Sequence, residues 1–351
     1  MKEIMNKLVE NGYDAYIVGG YVRDYLLGIE SLDVDISTSA PINKIQELFR
    51  GEGTAYPQYY AYHIERDGVG YDITSYRKEL KYRRNKPIEL EPAKDLAEDL
   101  LRRDFTVNTF AITHDGKFID IYGAKKDLDS KLIKVVGDID KKFSDDKTRI
   151  IRAIRFACTL DFDLEPRIID FLSSKQIYYL NEIPPEYKKK ELDKIFDSPN
   201  AYKFFYLLKR YNLFKYFNIQ TVPSVTQTYN RYGIWAQMDV DLPFSKEEKM
   251  IINSIRMFVD QGDISLSDFP YHSEEVIYNV ASILGIESKV RSLLDILSLR
   301  SIIDIDMGIN DMLEYVDVND FKHVYKSVER NIMEGKLENR REVIIDYLKC
   351  L

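Results

Sequence analysis

The segment from residue 16 to residue 36 constrains the fold of this chain more than any other. It reads as an apolar strand at residues 16–18, a glycine pair, a short helix, and an Asp-x-Asp pair at Asp33 and Asp35. Side chains alternate along a strand, so both carboxylates lie on one face. Such a pair suits Mg²⁺, which binds one or two carboxylates together with substrate phosphates. Because glycine backbone can approach a phosphate where a Cβ would collide, the segment predicts metal-assisted chemistry on a nucleotide.

Length and composition exclude several classes of protein. At 351 residues and 45% hydrophobic content, the chain is expected to form two or more packed units. Two cysteines, Cys158 and Cys350, allow neither a disulfide framework nor a Cys-based zinc site. Without a long apolar run or an apolar leader, we expect a cytoplasmic protein with no membrane contact. The net charge of −8 does not decide for or against nucleic acid, because basic residues cluster at 78–86 and 188–190.

The pattern of the chain changes near residue 137. Before it, glycines are frequent and strand-like runs alternate with helical ones, which predicts an α/β head domain; after it the pattern is helical throughout. The predicted fold class is therefore α+β. Four domains are expected, with approximate boundaries: a head at residues 1–137, a helical neck at 138–200, a helical body at 201–265 and a helical tail at 266–351.

Two further motifs carry charged side chains in suggestive patterns. Arg102 and Arg103 precede Asp104; they are either a salt-bridged helix start or a bidentate site for a triphosphate. Farther along, four residues recur every third position on one helical stripe, namely Asp146, Arg149, Arg152 and Arg155. A ladder of ion pairs on a solvated face would explain this spacing, but one acid leaves the arginines uncompensated. An Asp–Arg pair could instead read the pairing edge of cytosine or adenine, which each display an amino group beside an acceptor.

Taken together, these motifs resemble the class II nucleotidyltransferases, which comprise CCA-adding tRNA nucleotidyltransferases and bacterial poly(A) polymerases. The matching elements, in order, are Gly-Gly-x-Val-Arg-Asp with the downstream Asp-x-Asp, then Arg-Arg-Asp-Phe-Thr-x-Asn, then an Asp-Asp-x-x-Arg helix, and Pro185-Glu186-Tyr187 in the neck. The resemblance covers residues 14–196. It implies a polymerase β-like head, a two-metal reaction with Mg²⁺, and template-independent addition of CCA to the 3′ end of tRNA from CTP and ATP.

The resemblance also assigns roles to individual residues. Asp33 and Asp35 are expected to be catalytic and to hold the metals, with Asp72 or Asp104 as candidates for a third carboxylate. The nucleotide-binding residues are expected to be Gly20, Arg23, Arg103, Asp146, Arg149, Arg152 and Arg155. Within this set, Asp146 and Arg149 pair with the base, whereas Arg152 and Arg155 support the phosphates and the helix. The helical part is expected to hold tRNA by its acceptor stem and elbow, and no protein partner is implied.

Several departures from the family pattern keep alternatives open. Asp145 stands where the family has Glu, the neck lacks its usual arginine, and Leu80 replaces a glycine in a loop between residues 77 and 95. In the family, a flexible loop at this place accompanies addition of the terminal A, so its presence favours a complete CCA-adding enzyme. A poly(A) polymerase, a CC-adding enzyme and an inactive RNA-binding relative remain alternatives. The His114-Asp115 pair is predicted to be a hairpin turn and not part of a phosphohydrolase site.

Overall fold

The computed structural model describes residues 1–265, 268–269, 272–295, 305–318, 320–333 and 335–350. The chain divides into two compact units, Met1–Phe217 and Asn218–Leu351. The division into head, neck, body and tail stays a prediction, and parts of the predicted tail lie outside the described residues.

Seven strands of the first unit form one sheet. In chain order they are β1 (Ala15–Val18), β2 (Asp33–Thr38), β3 (Gly53–Tyr56), β4 (Ala61–Arg66), β5 (Val69–Ser75), β8 (Ala111–Thr113) and β9 (Phe118–Ile119). Their order in the sheet is β3-β4-β5-β2-β1-β8-β9. The pair β2–β5 is parallel, and the other neighbouring strands are antiparallel. The head is therefore a mixed sheet whose central strands, β2 and β1, come from the glycine and Asp-x-Asp segment.

Helices cover this sheet. They are α1 (Lys2–Glu10), α2 (Gly20–Leu26), α3 (Ile42–Leu48) and α4 (Leu96–Leu101). Each inserts apolar side chains into the core, for example Leu8, Val22, Ile45 and Leu100, all of which are fully buried. Burying such a side chain contributes roughly 1.5–3 kcal/mol. The helices thus fix the sheet whose edge presents the acidic pair.

A hairpin occupies the segment in which the sequence predicts a flexible loop. It consists of β6 (Arg77–Arg83) and β7 (Lys86–Pro92), which pair in a two-stranded sheet of their own. Arg84 and Asn85 form the turn with φ values of 51° and 62°, which are the left-handed values of a two-residue type I′ turn. Here the segment has paired strands where the sequence alone predicts a loop.

The rest of the first unit is mainly helical. It contains α5 (Ala124–Asp129), β10 (Leu132–Ile133), α6 (Ile139–Asp145), α7 (Thr148–Thr159), β11 (Asp163–Leu164), α8 (Pro166–Ser173), α9 (Pro185–Phe196) and α10 (Ala201–Arg210). Helix α7 is central, because it packs against α9 and α10. Its residues Ile150, Ile151 and Ile154 are fully buried. On the other side of α7, Arg149 and Arg152 contact residues of the head, whereas Arg155 contacts α9.

The described part of the second unit is helical. Its helices are α11 (Arg231–Ala236), α12 (Lys246–Gln261), α13 (Glu274–Leu284), α14 (Glu287–Asp295), α15 (Ile309–Met312), α16 (Phe321–Met333) and α17 (Arg341–Lys349). Helix α12 begins with a capping box formed by Ser245 and Glu248 and ends at Gly262, whose φ of 77° suits a glycine. Across the described residues, no helix is both long and apolar enough to span a bilayer. An α/β head followed by helices confirms the predicted α+β class.

Candidate active site

Three carboxylates meet at the start of β2. Asp33 and Asp35 lie on one face of this strand, whereas Val34 and Ile36 between and beyond them are buried on the other face. Asp35 stands beside Asp72 of the parallel neighbour β5. Burial raises the pKa of Asp33 above its ordinary value, and the carboxylates of Asp35 and Asp72 raise it further. This edge therefore concentrates negative charge.

The chemistry of this edge fits a divalent cation that is shared with a substrate. Among the described residues, no group of three or more His, Cys, Asp or Glu side chains forms a metal cage. A hard cation held by one or two carboxylates plus phosphate oxygens needs no such cage. Asp33 and Asp35 would hold it, and their crowding leaves charge for it to neutralise. Asp72 is hydrogen-bonded to His63 Nδ1 at 2.7 Å, so its carboxylate already has a partner.

The glycine pair lets an arginine approach the carboxylates. Gly19 has a φ of 79°, and a Cβ built on it would collide with the Arg103 guanidinium and the Asp35 carboxylate. Arg103 Nη1 lies 3.4 Å from Asp35 Oδ2, and the buried Arg103 Nε has no hydrogen-bond acceptor among the described residues. Gly20 begins α2. The close packing of backbone, guanidinium and carboxylate explains why the position needs glycine.

Arg23 connects α2 to the Arg-Arg-Asp motif. Its guanidinium is buried, donates to Asn108 Oδ1 and to Asp24 Oδ1, and lies over the ring of Phe156. Asn108 in turn donates to Asp104 Oδ1 at 2.9 Å. Sequence analysis did not single out Asn108 as a functional residue, although it ends the motif that carries Arg103. Arg23 is thus held rigidly at the wall of the site.

Asp104 is the anchor of helix α7. Arg152 Nε donates to Asp104 Oδ2 at 2.8 Å, and Arg152 Nη2 contacts the same oxygen. Burial alone would raise the pKa of Asp104, but Arg152 and Asn108 hold it well below its ordinary value. In the same way, Arg155 Nε donates to Glu191 Oε2 at 2.6 Å on α9, while its guanidinium lies 3.7 Å from the centre of the Phe156 ring. Both arginines therefore brace α7 through ion pairs.

Arg149 lies in the first turn of α7, whereas Asp146 lies in extended backbone between α6 and α7, so it is not on the helical stripe that the sequence predicts. Asp146 Oδ1 accepts from the backbone N–H and the hydroxyl of Thr148, and burial raises the pKa of this carboxyl. Arg149 is 6% exposed and donates to the carbonyl oxygens of Lys142 and Arg102. Its Nε lies 3.9 Å from Asp146 Oδ2. The two side chains predicted to read a base therefore lie next to each other, and hydrogen bonds to backbone groups orient both of them.

The hairpin supplies a further contact that sequence analysis missed. Arg149 Nη2 donates to the hydroxyl of Tyr82 at 3.0 Å, and that hydroxyl donates to Glu79. Glu79 is half-buried and also lies 3.4 Å from Arg102. Although burial would raise the pKa of Glu79, Arg102 and Tyr82 keep it below its ordinary value. Nothing in the sequence around Tyr82 indicates this contact, because it depends on how the hairpin folds back over α7.

One cavity of about 800 Å³ is lined by every residue that the sequence assigns to the metal or the nucleotide, although Asp72, a candidate third carboxylate, does not line it. Its lining includes Gly20, Arg23, Asp33, Asp35, Arg103, Asp146, Arg149, Arg152 and Arg155. Tyr82, Glu79, Arg102, Asp104 and Asn108 line it as well. Residues that are far apart in sequence thus share one polar, positively charged cleft. The His114-Asp115 pair lies elsewhere, at the turn between β8 and β9, as predicted.

The chain that forms this cleft is similar to known proteins. Residues 15–134 match the model of the poly(A) polymerase head domain, and residues 161–223 match the model described as a probable RNA- and SrmB-binding site of polymerase A. The CCA-adding enzyme of Bacillus pumilus is 28% identical over 98% of this chain and 95% of its own length. The chain is thus similar to a CCA-adding enzyme over almost its full length, and its first part matches the head domain of poly(A) polymerases.

Other CCA-adding enzymes are similar to this chain as well. The CCA-adding enzyme of Lactococcus lactis subsp. cremoris is 38% identical over 55% of this chain and 48% of that protein. The crystal structure of the Bacillus stearothermophilus CCA-adding enzyme in complex with CTP is similar with a TM-score of 0.74 and 24% identity, and the match covers 99% of this chain and 95% of that one. The Thermotoga maritima CCA-adding enzyme complexed with tRNA gives a TM-score of 0.65 at 20% identity, covering 99% and 94%. These structures share the fold. The family normally uses a divalent metal.

Proposed function

We propose that this chain adds CCA to the 3′ end of tRNA without a nucleic-acid template, using CTP and ATP and releasing pyrophosphate. The observation that carries the proposal is the single cavity that gathers the acidic edge, the phosphate-binding arginines and the Asp146–Arg149 pair. A match to a CCA-adding enzyme over nearly the full length of both chains supports it. Solved relatives of the same fold bind CTP and tRNA.

In this reaction the acceptor 3′-oxygen forms a bond to the α-phosphorus while the bond from that phosphorus to the pyrophosphate breaks. Asp33 and Asp35 would hold a divalent cation, proposed to be Mg²⁺, which when bound lowers the pKa of the attacking hydroxyl and neutralises charge on the leaving group. Arg103 would contact phosphate. Two observations support this role: its guanidinium borders the carboxylates, and its Nε is without a partner among the described residues. Arg23 would add positive charge at the glycine turn.

Nucleotide choice would rest on Asp146 and Arg149. A carboxylate accepts from the exocyclic amine of cytosine or adenine, and a guanidinium donates to the neighbouring ring nitrogen or carbonyl. Uracil and guanine place a carbonyl and a ring N–H at these points, so buried groups would be left unpaired. Arg149 suits this task because backbone carbonyls already orient it. Arg152 and Arg155 would support the helix that carries the pair.

The partner would be tRNA, held by its acceptor stem and elbow through phosphates and A-form shape. The match of residues 161–223 to a probable RNA-binding model supports a contact in the helical part of the chain. Two free cysteines, one buried and one exposed, suit a reducing compartment, and we place the reaction in the cytoplasm.

Primer extension tests this proposal. Transcripts of tRNA ending at the discriminator base, at C and at CC are incubated with Mg²⁺ and either one labelled nucleotide or CTP with ATP. Growth of all three to the same end, halting after A, is the expected result. Arrest at CC would identify a CC-adding enzyme, a long A ladder would identify a poly(A) polymerase, and no incorporation would favour an inactive RNA-binding relative.

A further inference from the structure

Helix α6 carries a lysine whose side chain reaches the backbone of the Arg-Arg-Asp motif. Lys142 Nζ donates to the carbonyl oxygen of Leu101 at 2.6 Å and to that of Arg103 at 2.8 Å. Lys142 does not line the large cavity, so we expect no direct contact between its side chain and the nucleotide. Its two hydrogen bonds instead join α6 to the segment that presents the Arg103 guanidinium.

The carbonyl groups that Lys142 contacts need a donor from another element. Leu101 is the last residue of α4, and the carbonyl groups in the last turn of a helix have no intrahelical partner. They also carry the partial negative charge of the helix C-terminus, which favours a basic group beside them. The Lys142 amine therefore fixes the backbone where α4 ends and the Arg-Arg-Asp motif begins.

The same lysine is joined to the arginine that is proposed to read the base. The backbone carbonyl oxygen of Lys142 accepts from Arg149 Nη1 at 3.1 Å, and Arg149 Nη2 donates to the carbonyl oxygen of Arg102 at 3.2 Å. The carbonyl oxygens of residues 101–103 are thus held by only two side chains, those of Lys142 and Arg149. A shift of the motif backbone would therefore disturb Arg103 and Arg149 together.

Lys142 is half-buried among charges of both signs. Helix α6 packs against α7 and β6, and burial lowers the pKa of Lys142 to about 7. Arg149 and Arg102 lower this pKa further, whereas Asp104 and Glu79 oppose the shift. A neutral amine keeps two N–H groups, so both protonation states can donate to the two carbonyl oxygens. Lysines with such perturbed pKa values are more frequent at functional sites than elsewhere.

We propose that Lys142 is a positioning residue for nucleotide selection, which holds the Arg-Arg-Asp backbone and Arg149 in one fixed arrangement. This role rests on the proposed function, because it takes Arg149 as the base-reading residue and Arg103 as the phosphate contact. A nucleotide satisfies both guanidinium groups only if its base and its phosphates fit them at the same time. Without the Lys142 amine the two groups would move independently, and the penalty on a wrong base would fall.

Nucleotide binding tests this role without requiring turnover. Dissociation constants of CTP and UTP are measured by calorimetry with Mg²⁺, in the absence of tRNA, for the full chain and its variants. Lys142→Met keeps an aliphatic side chain but removes the amine, and we expect the dissociation constant of CTP to rise by about tenfold, with little change for UTP. Lys142→Arg, which restores donors to the carbonyl oxygens, should recover most of the affinity for CTP. Lys141→Met, at the exposed neighbouring lysine of α6, should bind both nucleotides as the wild type does.

Two outcomes of the binding experiment would overturn the role of Lys142. The first is wild-type affinity for CTP, with unaltered preference over UTP, in Lys142→Met. The second is an equal loss of affinity for CTP and UTP that Lys142→Arg does not reverse, together with a lowered melting temperature. That pattern would mean that the lysine maintains the fold and has no part in selecting the nucleotide.

Steady-state kinetics supply the second test. On tRNA ending in CC, Lys142→Met should raise KM for ATP and leave KM for tRNA unchanged. A rise in KM for tRNA alone would place the effect of Lys142 on the RNA and contradict its role in nucleotide selection. If the wild-type chain binds CTP in preference to UTP but extends no tRNA, the proposed function fails, and the binding comparison alone decides the role of Lys142.

Discussion

At the level of single residues, Arg149 depends on a tyrosine that lies far from it in sequence. The Tyr82 hydroxyl accepts a hydrogen bond from Arg149 Nη2 at 3.0 Å and donates one to Glu79. The Glu79 carboxylate therefore helps to hold the Arg149 guanidinium through this hydroxyl. The ring also lies 5.5 Å from the guanidinium carbon. Tyr82 is therefore a positioning residue in the proposed reading of the base.

Tyr82→Phe should weaken nucleotide discrimination while leaving the fold intact. The substitution removes one hydrogen bond to a charged group, worth about 1.5–3 kcal/mol, but keeps the ring. We expect kcat/KM for CTP and ATP to fall by at least tenfold and misincorporation of UTP to rise, measured with single nucleotides on tRNA transcripts. Tyr25→Phe is the control. Unaltered discrimination with full activity would mean that backbone carbonyls alone orient Arg149.

Asp33→Asn should abolish nucleotide incorporation without lowering the stability of the fold. The acidic edge is crowded, because burial and two neighbouring carboxylates raise the pKa of Asp33. Removing that charge relieves repulsion, so the melting temperature in EDTA should equal or exceed that of the wild type. Nucleotide incorporation should disappear, since the proposed cation loses a ligand. Retention of wild-type incorporation would remove Asp33 from the proposed metal site.

The sequence predicted which side chains lie together more completely than it predicted the contacts between them. Each residue assigned from motifs lines the large cavity, because the motifs record which side chains the site contains. Partners such as Tyr82 and Glu79 were missed because they follow from long-range packing of a hairpin. Asp104, a candidate third carboxylate, proves to be bound by Arg152 and Asn108, a pairing that spacing alone does not reveal.

At the level of elements, the hairpin β6–β7 and helix α7 form the walls of the cleft. Strand β6 carries Glu79 and Tyr82 to Arg149, and Asn85 at the turn accepts from the backbone N–H of Lys147, next to the start of α7. The hairpin therefore contacts α7 and the residue before it at two points, through Tyr82 and Asn85. Movement of one element should alter the other.

Deleting residues 78–87 should spare CC addition and remove A addition. The deletion takes away the contacts of Glu79 and Tyr82 with Arg102 and Arg149, while the carboxylates and Arg103 remain. Products on tRNA ending at the discriminator base would be resolved on a sequencing gel. Lys81→Ala, which breaks only an exposed ion pair with Glu89, is the matched control. Undiminished A addition by the deletion variant would count against the hairpin as the basis of the switch.

The ion pair between Asp104 and Arg152 should make α7 sensitive to acid. Because the folded pKa of Asp104 lies below its ordinary value, this carboxylate stabilises the fold above about pH 3.9. That contribution is lost as the pH falls toward the lower folded pKa, by about 1.4 kcal/mol per pH unit. Asp104→Asn should cost about 3 kcal/mol at pH 7 and less at pH 3, measured by urea unfolding. A difference from wild type that does not shrink with acid would contradict this assignment.

The periodicity of hydrophobic residues predicted the elements that have an apolar face. It missed the hairpin β6–β7, which has none. Strand β2 and helix α7 have clear buried positions, such as Ile36 and Ile154, and both lie where the sequence predicts them. The hairpin instead alternates charged residues with few buried ones, and its turn of Arg84 and Asn85 lacks the glycine that usually marks a type I′ turn. Its strands are therefore stabilised by ion pairs that a hydrophobic pattern cannot report.

At the level of the whole molecule, the positive charge of the large cavity, and not the net charge of the chain, suits a nucleic-acid ligand. The overall charge is −8, yet the large cavity is lined by Lys86 and by eight arginines, namely Arg23, Arg77, Arg84, Arg102, Arg103, Arg149, Arg152 and Arg155. Acidic residues elsewhere suppress nonspecific association with nucleic acid.

The length of the chain correctly predicted more than one packed unit. The boundary after Phe217 follows from packing, however, and no glycine- or proline-rich linker marks it in the sequence.

Truncation after Phe217 should separate nucleotide binding from tRNA binding. Every residue assigned to the active site lies within Met1–Phe217, so this fragment should bind CTP with the affinity of the full chain. The predicted tail at residues 266–351 would be missing, and with it phosphate contacts to tRNA. We expect the dissociation constant for tRNA, measured by gel shift, to rise by at least tenfold. Calorimetry would measure the affinity for CTP, and circular dichroism would confirm that the fragment is folded. A folded fragment that binds tRNA as tightly as the full chain would show that the second unit has no part in holding it, and the predicted tRNA-binding tail would then be wrong.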